Sequence, residues 1–378
     1  MSEYQYYEFQ AVDRPLGEAD REALRALSTR ARITTTSFTN SYHWGDFKDD
    51  PARLMEAWFD LHLYLANWGS RRLMVRWPTR LVDRNLIGIF LKAVDGVELR
   101  RSGQNLILDI TFDDVEFDDW DDGAGWLAAL APLRADVLGG DLRLFYLLWL
   151  SAVEADVFEA DEPEPMLGIG PMTGALDAFA RFFGINPDLV AAATDRAAET
   201  HAGLQASSET ARPIIAAMSE GEKADLLERL FDGDAHVGNE LRALVRRRAM
   251  SGGNAPVAAA RTVGELRARA AAIRRTREQA QAEKVAAELK RLEAEAARFR
   301  RARLDAIVRR GESVWQEIEV EIARRNAAGY DKAASLLVDL RAIAEENGAT
   351  EDFASRLQAI RKRHARKERF IERLAKLG

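Results

Sequence analysis

The sequence predicts an α+β N-terminal domain followed by all-α domains, including a long basic helix and a terminal helical hairpin. Three observations carry that prediction. Strand-type and helix-type patterns alternate up to residue 112, and strand signals vanish from Gly123 onward. Residues 262–310 form one stretch rich in Ala, Arg and Glu with apolar residues at steps of three and four. The charge is also split along the chain. Residues 1–240 hold 22 Lys+Arg against 42 Asp+Glu, and residues 241–378 hold 32 against 19. An acidic front and a basic tail, hidden inside an overall −7, point to internal docking or to a separate polyanionic partner for the tail.

The elements follow in order. Residues 4–12 are rich in aromatics and read as a strand. Residues 17–28 carry Ala23, Leu24 and Leu27 at helical spacing, and the largely β-branched 33–38 reads as a second strand. Asp50-Pro51 is a helix start, an N-cap carboxylate followed by proline at the first helical position. That helix is predicted to present Leu54, Trp58, Leu61, Leu65 and Trp68 on one face, to pack on the strands at 4–12 and 73–77, and to stop at Gly69. Residues 97–100 and 105–112, separated by Ser102-Gly103, read as a hairpin. Helices at 126–137 and 141–158 close an α+β domain over residues 1–160. The second is apolar nearly all round and therefore central.

Prolines and carboxylates at 159–171 mark a linker, and residues 172–250 read as a small helical domain. Ser251-Gly252-Gly253-Asn254 is the clearest boundary. Residues 262–310 form a long coiled-coil-like helix, about 70 Å long at ~1.5 Å per residue. The C-terminal helical segment, 311–378, divides into helices at 312–326, 330–346 and 350–377, with Asn347-Gly348 as a stop and Thr350 as a new cap. The last two are expected to pair as the hairpin.

Composition narrows the function classes. The 378 residues, 47% apolar and 30% charged, suit two or three globular domains. The absence of cysteine excludes disulfides, thiolate zinc sites, iron–sulfur clusters and a cysteine nucleophile, and predicts a reducing, cytoplasmic compartment. The start lacks the basic and apolar regions of a signal peptide. The longest unbroken apolar run, 144–150, is far short of a membrane span.

The opening Glu3-Tyr4-Gln5-Tyr6-Tyr7-Glu8-Phe9-Gln10-Ala11-Val12-Asp13-Arg14-Pro15-Leu16 resembles the start of a family of uncharacterised bacterial proteins. Tyr42-His43-Trp44-Gly45-Asp46-Phe47 and Tyr64-Leu65-Ala66-Asn67-Trp68-Gly69 are similar to it as well. That resemblance implies no activity. The tail, from Tyr330-Asp331-Lys332-Ala333 to Arg363-His364-Ala365-Arg366-Lys367, is similar to the helical ends of some bacterial SWIM zinc-finger proteins. The finger itself needs three cysteines and a histidine, so its metal binding does not carry over to a chain without cysteine.

Five groups of residues are candidate sites. Val285, Leu289, Leu292, Ala296 and Phe299 form a seam at alternating steps of four and three, a candidate surface for a protein partner or for self-association. Arg71, Arg72, Arg76, Arg80 and Arg84, interleaved with Trp68 and Trp77, are a candidate anion-binding patch, because arginine forks beside aromatic platforms suit phosphates and bases. Paired surface arginines are its ordinary explanation. Asp113, Asp114, Glu116, Asp118, Asp119, Asp121 and Asp122 read as a solvated acidic loop or as a dock for the basic tail. His62 reads as a satisfied core histidine, and His43 beside Trp44-Gly45-Asp46 sits in a loop that could hold an acid–base pair, although any loop can contain His and Asp. No histidines have metal spacing, and no nucleophile elbow, phosphate loop or other cofactor motif occurs.

The sequence therefore predicts a non-enzymatic intracellular scaffold or adaptor that binds a protein partner through its helical C-terminal arm. The alternative is a nucleic-acid-associated accessory protein using the arm and the Arg71–Arg84 patch. The third reading is an enzyme with a site near His43, Asp46 and Arg72. No metal, cofactor or membrane association is expected.

Overall fold

Phe9 and His62 stack ring on ring, 4.0 Å between centroids, at the middle of an antiparallel sheet. The computed structural model of the chain describes residues 3–116, 120–195, 208–251 and 260–374. It divides into two compact units, Met1–Thr276 and Arg277–Gly378. The first unit holds the sheet: β1 (Gln5–Gln10), β2 (Arg32–Ile33), β3 (Ser37–Tyr42), β4 (Leu61–Ala66), β5 (Arg71–Pro78), β6 (Val97–Ser102) and β7 (Asn105–Phe112). The strand order is β2-β3-β1-β4-β5-β7-β6.

Alternation along the strands sorts the side chains to two faces. Leu61, Leu63 and Leu65 of β4, Leu73, Val75 and Trp77 of β5, and Leu106, Leu108 and Ile110 of β7 join one core. That core also takes in α3 (Arg84–Leu91), α4 (Trp126–Leu130), α5 (Pro132–Leu138), α6 (Arg143–Glu154), α7 (Gly174–Phe182) and α8 (Pro187–Thr194). α6 buries side chains around its whole circumference, as its uniform apolarity predicts. On the other face Phe9, Phe38, Met74 and Ile107 pack with Leu24 of α1 (Glu18–Leu27) and Leu54 and Met55 of α2 (Pro51–Ala57).

The α+β front and helical remainder match the predicted fold class, but several elements differ. The helix expected over 50–69 is α2 followed by β4. Asp50 caps it as predicted, accepting from the Ala52 N–H with Pro51 at the first position. Leu61 and Leu65 satisfy helical spacing, yet Leu63 alternates with His62 and Tyr64, and every β4 residue but Tyr64 is buried. The period of two won because both faces of this strand are covered. Gly69, at φ +101°, makes the turn into β5. The strand expected at 33–38 is interrupted, because Thr34 to Thr36 turn back: the Thr34 N–H bonds the Ser37 carbonyl and the Thr36 N–H bonds the Thr34 hydroxyl. Pro132 starts a new helix inside 126–137, giving α4 and α5.

The residues read as a small helical domain divide in two. Ala175 to Ala193 contribute to the core under the sheet, while α9 (Ser208–Ala216), α10 (Glu220–Phe231) and α11 (Val237–Ser251) pack beside it. Arg80 holds them through Asp234 and Glu240, and His236 reaches Asp13. The expected boundary after Ser251 lies outside the described residues. Val263, Leu266 and Ala270 of α12 (Val263–Arg310) also join that core. One core thus draws on residues from three of the predicted domains.

In the second unit, Ile307 of α12 shares a core with Val314, Ile318 and Ile322 of α13 (Glu312–Ala323) and Leu336 and Leu337 of α14 (Ala327–Glu346). Phe353, Leu357 and Ile360 of α15 (Thr350–Arg363) and Phe370 and Leu374 of α16 (Glu368–Leu374) complete it. The final helix predicted over 350–377 is therefore two, broken after His364. The N-cap position of α15 is Ala349, which makes no side-chain capping bond, and Thr350 already lies inside the helix.

Candidate functional site

The root of α12 is clamped from several sides. Glu164, with its side chain fully buried, accepts 3.0 Å from Arg261 Nη2 and 2.7 Å from the Tyr146 hydroxyl. Burial, reinforced by the Glu164 carboxylate, pushes the Tyr146 pKa well above its ordinary value, so the phenol remains a donor. Thr262 and Glu265 form a reciprocal capping box, a T-x-x-E pattern that marks the helix start. Gly264 lies so close to Ala160 that an added Cβ would stand 2.9 Å from its carbonyl oxygen. Arg267 donates to the Val153 and Phe158 carbonyls, Arg269 pairs with Asp195, and Arg274 pairs with Asp188.

The middle of the same helix is different. Every residue from 274 to 303 is exposed. The seam lies in this stretch, with Val285 50%, Leu289 55%, Leu292 49% and Phe299 77% exposed. Ala296 sits between them and is exposed too. Within 277–303 no glutamate has a lysine or arginine four residues C-terminal to it, the spacing that best supports a lone helix. Glu288–Arg291 is an ion pair at the weaker spacing of three. Beyond the seam, guanidiniums are engaged: Arg301 with Glu346, Arg303 with Asp339 and Ser335, and Arg310 with Glu317.

The five arginines of the candidate anion patch do not converge. Arg71 is buried on the sheet face of Leu73 and Val75, over the Phe182 ring and 3.4 Å from Asp121. Burial pulls its pKa down to about 10, against the pull of Asp121. Arg72 forks onto Asp109 at 2.8 and 2.6 Å on the opposite face. Arg76 binds Asp60, and Arg80 binds Asp234 and Glu240. Arg84 opens α3.

Asp60 is a polar centre that sequence reasoning missed. Fully buried, it accepts from the Val12 and Asp13 N–H groups and from Arg76, with Arg134 3.6 Å away. Burial works against its charge, but those N–H groups and guanidiniums outweigh it and hold the pKa below the ordinary aspartate value. Arg134 in turn binds Asp13 at 2.6 Å and the Arg76 carbonyl. This is a structural network, since its members face one another and the backbone.

His62 is buried, as predicted, although on a strand. Its Nδ1 donates to the Glu8 carbonyl, while Nε2 has no hydrogen-bond partner. Burial pulls its pKa down to about 3, with the nearby Arg72 adding to the shift. Tyr7 donates to Asp46 at 2.7 Å, and its oxygen lies 3.0 Å from Gln5 Oε1, which accepts from Tyr64. His43 packs its ring on Tyr4, so His43, Asp46 and Arg72 each have other partners than one another. Of the acidic run, Asp113 accepts from Ser70, and Asp121 accepts from Arg71 and the Trp126 indole. Asp118 and Asp119 lie outside the described residues.

Among the described residues no cluster of three His, Cys, Asp or Glu side chains is arranged to hold a metal, and no helix is long and apolar enough to cross a membrane. The chain matches no family model, no curated protein and no solved structure.

Proposed function

We propose that the chain is a non-catalytic scaffold whose first unit roots α12 and whose exposed α12 seam binds a protein partner. One observation carries this reading: a helix buried at its root displays Val285, Leu289, Leu292 and Phe299 to solvent in its middle. Four apolar side chains at steps of four, three and seven on one face suit a partner helix better than they suit water. The second unit supplies a separate packed core just beyond the seam.

The nucleic-acid reading draws on the basic composition of residues 241–378. Against it stand the guanidiniums of Arg72, Arg76, Arg80, Arg301 and Arg303, each already paired with a carboxylate of the chain, so that a phosphate gains less there than on an unpaired arginine. The enzyme reading has no convergent group at His43. The resemblance to the bacterial family and to the SWIM-protein tails is compatible with a scaffold and adds no activity.

The test is photo-crosslinking in cells from a diazirine amino acid placed at Leu289, with Ala287 on another side of the helix as control. A protein adduct from position 289, resistant to nuclease and much weaker from 287, supports the reading. Equal adducts from both positions, or a nuclease-sensitive adduct, contradict it.

A further inference from the structure

We propose that the occupant of the seam is a second copy of this chain, its α12 running antiparallel about a two-fold axis between Leu289 and Leu292. The proposal rests on the partner-binding reading above and names the partner.

The seam is complementary to itself in that direction and not in the other. With the axis there, Leu289 faces Leu292 of the second copy, Val285 faces Ala296, and Ala282 faces Phe299. Each pair occurs twice by symmetry, and every large residue at the ends of the seam meets a small one, as interdigitated layers require. The next residues in register are Glu278 and Arg303. The antiparallel arrangement therefore closes both ends of the seam with opposite charges. Asp339 and Ser335 take the Nε and Nη2 edge of Arg303, and of the five N–H groups of a guanidinium those on Nη1 remain for a second carboxylate.

A parallel pair would instead set Glu278 against Glu278 and Arg303 against Arg303. It would also stack Phe299 on Phe299 and leave Ala282 and Ala296 facing themselves in thin layers. The flanking positions decide less. Glu288 approaches Glu295 in the antiparallel register and Glu293 in the parallel one. Arg291, 2.6 Å from Glu288 on the same helix, offsets either contact. The parallel register gains Glu295 beside Arg300, an exposed pair of small weight against like charges in the seam itself.

The absence of cysteine makes the register directly readable. Full-length Val285→Cys and Ala296→Cys chains would be mixed and oxidised, and each would be oxidised alone. The expected result is a disulfide dimer in the mixture only. Sedimentation of the unaltered chain should give twice 42.3 kDa at tens of micromolar. Leu289→Asp with Leu292→Asp should weaken association at least tenfold while leaving far-UV circular dichroism of the monomer unchanged. A monomer at ~100 μM overturns the proposal. So does a dimer indifferent to the double substitution, or a disulfide formed by either variant alone. If the chain is monomeric while position 289 still crosslinks a different protein in cells, self-association fails and the scaffold reading survives.

Discussion

The root and the middle of α12 carry the same kind of sequence and meet opposite fates. Leu266 and Ala270 at the root, like Leu289 and Ala296 in the middle, stand on one helical face among arginines and alanines. The first pair is buried and the second exposed. At the root each arginine has found a carbonyl or carboxylate of the body. The difference teaches that a heptad-like rhythm specifies a helix that wants cover, and is silent on whether the cover lies in the same chain.

The largest expected effect is at the clamp. Arg261→Ala removes the guanidinium from Glu164 and should cost about 3–5 kcal/mol in urea unfolding, because a buried carboxylate is left without its charge partner. An effect under about 1 kcal/mol would mean that the root is not held as described. Truncating one leucine in each region sharpens the contrast: Leu266→Ala should lose about 2–5 kcal/mol. Leu289→Ala, measured where the chain is dilute, should stay within about 0.5 kcal/mol of the unaltered protein.

His62 gives the buried region a pH dependence. Its folded pKa lies near 3, below the unfolded value of about 6.5. Between those values the unfolded chain binds the extra proton, so stability falls as pH drops, by about 2 kcal/mol from pH 6.5 to 5. The contribution is full above the unfolded pKa and exhausted near the folded one. The slope of unfolding free energy against pH should flatten in His62→Gln, and an unchanged slope would remove His62 as its source.

Trp58 is a smaller case. It is half-buried against the core around Phe9, with its indole N–H on Asp20 at 2.9 Å. Trp58→Ala should therefore cost about 1–3 kcal/mol, less than a fully enclosed tryptophan. Thermal melts that separate it from Arg261→Ala in that order would support the ranking.

Much of the fold was legible because local chemistry and tertiary packing agreed. Asp50-Pro51, the 97–112 hairpin and the uniformly apolar α6 each had one reading. The region 50–69 did not, since Leu61 and Leu65 fit a helix and a strand alike, and burial of the intervening Leu63 decided it. The seam was legible as a pattern, but its exposure was not. In the arginine patch the strand pleat sends Arg71 and Arg72 to opposite faces, while the carboxylates that pair with them, Asp121 and Asp109, come from distant positions that sequence proximity does not reveal. Asp60 was invisible as a charge centre, since its partners Arg76 and Arg134 come from distant elements. The clamp had a visible signal in Thr262-x-x-Glu265.

Hydrogen–deuterium exchange along α12 of the full-length protein, followed over a dilution series, tests most directly whether the seam is an interface. Amides of 263–274 should exchange slowly at every concentration. Those of 282–299 should be slow at tens of micromolar, fast on dilution, and fast throughout in the Leu289→Asp, Leu292→Asp protein. Middle amides that exchange at one rate across the series, and at that same rate in the double variant, would contradict a second copy on the seam.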